Sequence, residues 1–171
     1  MHDNFDKSLK FVLTGEGGYI DHPNDLGGET KYGISKRSRP DEDIPNLTLE
    51  RAGEIYWADY WNPISGDDLP SGIDYVTFDS AVNHGPRTAG SLLQRAVNRM
   101  AYGLTVDGLI GPVTIQAVLW ANPEILITDI LRERDIFYRK IVAQDPSQEV
   151  FFRGWLARLA KVAVNVREFM T

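Results

Sequence analysis

A mainly α chain, carrying at most one small β-hairpin, is what this sequence predicts. Apolar residues recur with the 3.6-residue helical period in several segments, most cleanly at Ala89, Leu92, Leu93, Ala96, Val97 and Met100. Proline and glycine fall where such segments should start and stop, as at Gly85-Pro86 and Gly111-Pro112. Almost no stretch alternates apolar and polar as a half-buried strand does.

The elements follow in order. Phe5, Leu9, Val12 and Leu13 define a first helix, with Asp3 or Asn4 as its cap and Gly15–Gly18 as its stop. A glycine-rich loop comes next, with a small hairpin over "ETKYGIS". Thr48 caps a helix through "LERAGEIYWADYW", which ends at Asn62-Pro63 because the residue before proline avoids the α region. Further helices are expected over about 73–84, from Pro86 through Met100, from Pro112 to Ala121, and over about 123–142 and 147–169. Tyr56/Tyr60 and Trp57/Trp61 are i, i+4 pairs, so one pair should be core.

Composition bounds the function. The 171 residues hold 43% hydrophobic side chains and suffice for a real core. With no cysteine there is no disulfide framework, thiol nucleophile or thiolate metal site. Three scattered histidines (His2, His22, His84) make no zinc pair, and no metal or cofactor is expected. Residues 1–80 carry 7 Lys+Arg against 16 Asp+Glu, a net of −9, and residues 81–171 carry 11 against 8, a net of +3. An acidic first half lacks the basic face that nucleic acid needs. The N-terminal stretch has no basic n-region and no apolar h-region, and no run reaches the ~18 apolar residues of a membrane span. Synthesis in the cytoplasm is the expectation.

The stretch "TGEGGYIDHPNDLGGETKYGI", residues 14–34, is where chemistry concentrates. Six glycines lie among its carboxylates. Glu16 stands where the first helix ends, and the unpaired carbonyls there oppose ionisation and raise a carboxyl pKa. Val12, Leu13 and Tyr19 add desolvation in the same direction. An acid kept protonated near neutral pH can protonate a leaving oxygen. Asp25, nine positions on, sits in polar company (Asn24, Gly27, Gly28, Thr30) that leaves it ionised. Two carboxyl groups pushed apart in pKa are the equipment of glycoside hydrolysis. The competing reading makes Glu16 a surface residue and Asp25 a turn cap. A calcium loop fits poorly, because Asp21, Asn24, Asp25 and Glu29 miss the required spacing.

"EGGYIDHPNDLGGETKYGIS" resembles the signature of glycoside hydrolase family 108, the N-acetylmuramidases of the lysozyme-like superfamily. The similarity takes in "FDKSLKFVLTG", "YWADYW", "FDSAVNHGPRTAGSLLQRAVN" and "VDGLIGPVTIQAV", spanning about positions 4–120. The resemblance implies a compact lysozyme-like domain, with 1–85 as the catalytic region and 86–171 as a helical peptidoglycan-binding-like region, packed as one unit. It makes Glu16 the catalytic acid and Asp25 its partner. It adds Thr30 as a third catalytic residue, although Thr30 falls one position earlier than in phage-type lysozymes. It also implies an endo-acting muramidase cleaving the β-1,4 bond between N-acetylmuramic acid and N-acetylglucosamine. A phage or prophage endolysin, reaching the periplasmic wall by holin-type release and working as a monomer, is the expected setting; a bacterial or prophage-derived version that assists secretion is equally compatible with the residues. A lytic transglycosylase or a non-catalytic wall-binding module are the alternatives.

Around the carboxylates, Tyr19 and Tyr32 are candidate substrate residues, since an aromatic face packs on the apolar side of a pyranose. Trp57 is a third, and Asn83 a fourth because the resembling segment borders the groove; Asn83 could equally serve a helix C-cap, and His84 a structural partner. "VDGLIGPVT" can be read as a wall-binding motif or as turn and helix-start chemistry. In the last 21 residues, Leu156, Leu159, Val162, Ala163, Val166 and Phe169 share a stripe beside basic residues. This closing helix should complete the core; its basic face could also meet anionic cell-envelope surfaces.

Overall fold

The computed structural model describes residues 2–14 and 29–170, with the backbone alone at positions 2 and 3. Helix α1 spans His2–Leu13. Its Phe5, Leu9 and Val12 are buried, as the i, i+4, i+7 spacing requires. The helix begins at His2, so Asp3 and Asn4 lie inside it and neither is the expected cap. Asn4 instead donates from Nδ2 to Asp74 Oδ2 at 2.8 Å, because a partner 70 residues away satisfies it better than the helix end does. The Thr14 amide closes the last turn onto the Lys10 carbonyl at 3.0 Å.

Strands β1 (Thr30–Lys31) and β2 (Ile34–Ser35) pair antiparallel, Thr30 opposite Ser35 and Lys31 opposite Ile34. The two-residue turn needs positive φ at both positions, and Tyr32 and Gly33 supply +52° and +73°. Helix α2 (Leu49–Tyr56) starts on the expected cap, with Thr48 Oγ1 accepting from the Arg51 amide at 3.1 Å.

The chain continues from α2 as one π turn, Trp57–Trp61, in which the Asn62 amide bonds the Trp57 carbonyl. This inserted residue corrects the aromatic expectation. Neither i, i+4 pair is buried as a pair, although the Tyr56 and Tyr60 rings still meet at 5.5 Å; the i, i+5 pair Tyr56 and Trp61 is buried instead, at 3% and 1% exposure. Trp57 and Tyr60 are left half-buried.

Helix α3 (Ile73–His84) is the centre of the fold, buried continuously from Ile73 to Ala81. Helix α4 (Pro86–Asn98) follows after Gly85 at φ +82°, with Pro86 in the first turn as expected. Then come α5 (Pro112–Trp120), α6 (Pro123–Gln144) and α7 (Glu149–Asn165), α7 ending in a 3₁₀ turn over Val166–Phe169. Among the described residues the molecule is seven helices and one two-stranded ribbon. One cluster of buried side chains runs from Phe5 to Phe169, centred where Phe5, Trp61 and Phe78 meet edge to face at 5.3–5.8 Å.

Candidate active site

The end of α1, the hairpin and α2 with its π turn assemble beside one another. Burial of Phe5, Leu9 and Val12 holds α1 against the core, which fixes where the chain leaves the helix at Thr14. Between α1 and α2 lies an open groove of about 1120 Å³, floored by Leu9, Leu13 and Gly53 and rimmed by Lys10, Glu50 and Glu54. Trp57 and Thr14, the last described residue before the Glu16 segment, both line this groove. Trp57 Nε1 is buried and meets no acceptor among the described residues.

The hairpin is tied down from below. Tyr56 donates its hydroxyl to the Tyr32 carbonyl at 3.0 Å, and the Lys31 ammonium lies 5.7 Å from the Tyr32 ring centre. Tyr32 and Thr30 are both half-buried on this ribbon. A smaller cleft of about 260 Å³ separates the ribbon from the π turn, lined by Gly33, Ile34, Tyr56 and Tyr60 and crossed by an Arg39–Asp59 ion pair. Neither member of that pair was singled out from sequence; nothing local joins residues 20 positions apart. Glu16, Tyr19 and Asp25 lie outside the described residues.

Asn83 belongs to different surroundings. With its amide oxygen facing the two guanidiniums, it accepts from Arg158 Nε and Arg134 Nη2, each at 2.8 Å. The same two arginines bind Asp79, Arg134 at 2.7 Å and Arg158 at 3.1 Å. Arg134 is fully buried and also donates from Nε to the Tyr138 hydroxyl at 2.8 Å, which in turn lies 3.1 Å from His84 Nε2. Asn83 and His84 thus serve an internal polar network joining α3, α6 and α7. A sequence signal for it existed: Arg134 interrupts the apolar stripe Ile127, Ile130, Tyr138 of α6, and a charge there must find a buried partner.

"VDGLIGP" also has an internal occupation. Gln94 on α4 donates to Asp107 Oδ1 at 2.8 Å and to the Leu109 carbonyl at 3.0 Å, and accepts from the Gly108 amide at 2.8 Å.

Comparison with known proteins agrees with this geometry. Residues 9–85 match the model for glycosyl hydrolase 108, and residues 88–160 match that for a predicted peptidoglycan domain. The solved structure of SagA from Brucella abortus aligns at 32% identity with a TM-score of 0.80, over 99% of this chain and 97% of that one. The chain belongs to the glycosyl hydrolase 108 family. No curated protein matches it. As a family member it is a glycoside hydrolase acting on peptidoglycan, with a mainly α, lysozyme-like fold and a peptidoglycan-binding-like second half. The first match covers the end of α1 from Leu9, the hairpin, α2 and α3, and so most of the residues that line the groove.

Proposed function

We propose that the protein is an N-acetylmuramidase that cleaves the β-1,4 bond between N-acetylmuramic acid and N-acetylglucosamine. The observation that carries this reading is the family match over 9–85, which spans Glu16, Asp25 and the end of the helix that precedes them. Glu16 follows α1 by three positions and donates its proton to the glycosidic oxygen as the bond breaks. Asp25 stays ionised and stabilises the positive charge that develops on the sugar, or activates the attacking water. Thr30, on strand β1, is the third catalytic residue in this reading, and Tyr19, Tyr32 and Trp57 offer aromatic faces to the sugars. Trp57, which lines the groove, has the best support of these, since it borders open volume. In this reading the protein acts on the periplasmic wall as a phage or prophage endolysin does.

Glu16→Gln tests the proposal. The amide is nearly isosteric but has no proton to give, and loss of a general acid costs about 10²–10⁴-fold in rate. Asp25→Asn should lower kcat with KM little changed. Mass spectrometry of products from purified sacculi should find a reducing muramic acid end for the wild type and almost no product for Glu16→Gln. An anhydro end would make the protein a lytic transglycosylase, and an inert wild type would make it a binding module.

A further inference from the structure

The polar network and the Gln94 latch leave one recess of the second half without an occupation. Helices α4 and α6 diverge around a groove of about 500 Å³. Its floor is apolar, formed by Leu92, Phe137 and Ile141, and its walls carry Arg87, Arg95 and Lys140. All three cations are exposed, and none forms an ion pair among the described residues. The carboxylate that also faces the groove, Glu133, is already held by Arg99 at 2.6 Å. A protein of net charge −6 therefore presents a recess with three unpaired positive charges.

We propose that this groove holds the peptide stem of peptidoglycan, with Arg87, Arg95 and Lys140 pairing with the stem's carboxylates. The inference rests on peptidoglycan being the substrate, and it names the part of that polymer the second half takes. The chemistry selects a short acidic peptide over the other components of a cell envelope. A glycan strand wants an open aromatic face, but the aromatic ring here, Phe137, packs against the His84 imidazole at 5.1 Å. A lipid surface wants cations that protrude beside exposed apolar side chains, whereas these apolar side chains form the floor of a recess. The volume lies in the range of small-ligand sites. Alanyl methyl groups suit the floor, and Thr88 and Ser91 on the α4 wall can hydrogen-bond a peptide backbone. The groove also adjoins the catalytic half, because His84 ends α3 and touches its floor.

The test has two arms. In the first, the free stem tetrapeptide is titrated into the isotope-labelled wild-type chain and amide shifts are followed. Saturable shifts confined to α4 and α6, weakened as salt rises, are expected. Arg87→Gln/Arg95→Gln/Lys140→Gln should weaken this binding roughly tenfold, as loss of three exposed charge pairs implies. In the second arm, KM is compared for intact glycan chains and for chains stripped of peptide by an amidase. The wild type should prefer the peptide-bearing form, and the triple variant should lose that preference. Shifts elsewhere or none, unaltered binding by the triple variant, or displacement of the peptide by anionic phospholipid vesicles would each overturn the proposal. The peptide titration needs no catalysis, so an inactive enzyme would defeat the muramidase reading and leave the groove to be judged on its own. A variant that fails to fold leaves the wild-type shift map and its salt dependence to decide.

Discussion

At the scale of single residues, the buried charges set the chemistry of the interior. Tyr138 accepts from Arg134 Nε, so its own hydroxyl proton points to His84 Nε2, which can accept only if the imidazole is neutral. Burial, reinforced by the nearby Arg134, lowers the His84 pKa from 6.5 to about 4, while Asp79 pulls the other way. The unfolded chain therefore binds a proton that the folded chain refuses. This contribution to stability is present above pH 6.5 and is lost as pH falls through about 4. Asp74 has the opposite sign: burial raises it to about 6, so its contribution is present below pH 3.8 and is lost as pH rises through 6. His84→Gln keeps an acceptor for Tyr138 and removes the titration. Denaturant melts at pH 7 and pH 4.5 should show the wild type losing about 1–3 kcal/mol more than the variant. Equal losses in the two would show that folding does not lower the His84 pKa.

Local rules made several elements legible but failed at Asn62, which is helical at φ −62°, ψ −43° despite the proline that follows and leads into a 3₁₀ turn over Asn62–Ile64. The Thr48 cap, the Gly85-Pro86 junction and the ribbon over Thr30–Ser35 are each written in a few adjacent residues. The π turn at Trp57–Trp61 was not, because its extra residue is justified by burying Tyr56 and Trp61 together against Phe78, far along the chain. The contact between α4 and the loop before α5 is of the same kind. A Cβ on Gly90 would lie 2.3 Å from the Gly108 carbonyl oxygen, a backbone atom that Gln94 holds in place through the adjacent amide. Gly90→Ala ordinarily helps a helix by about 1 kcal/mol. Here overpacking should dominate, with a net destabilisation of about 1–3 kcal/mol measured by thermal or denaturant melting. A variant as stable as the wild type would show that the loop can retreat from α4.

For the whole molecule, closure depends on the C-terminal segment. Val162, Val166 and Phe169 are buried, Phe169 stacks on Tyr75 at 4.7 Å, and Ser71 donates to the Phe169 carbonyl at 2.9 Å. Arg158 adds the second partner of Asp79. Burying three such side chains stabilises by roughly 5–8 kcal/mol in all, comparable with the ~5–15 kcal/mol that holds a typical domain. Deletion of residues 151–171 should therefore give an insoluble chain without a cooperative melt. A soluble, cooperatively melting truncation that still cleaves sacculi but binds whole envelopes poorly would instead make α7 a docking helix.

The sequence by itself determined the helical class, the order of the helices and the Thr48 cap. Those depend on periodicity and on contacts between residues three or four apart, which any reader of the chain can count. Only the tertiary structure decided that Asn83 answers to Arg134 and Arg158, that Tyr56 and Trp61 share a face, and that Arg87, Arg95 and Lys140 surround one recess. Asp79 and Arg158 lie 79 residues apart. Partners at that distance are chosen by how whole helices pack, since a buried charge accepts whichever opposite charge the packing delivers.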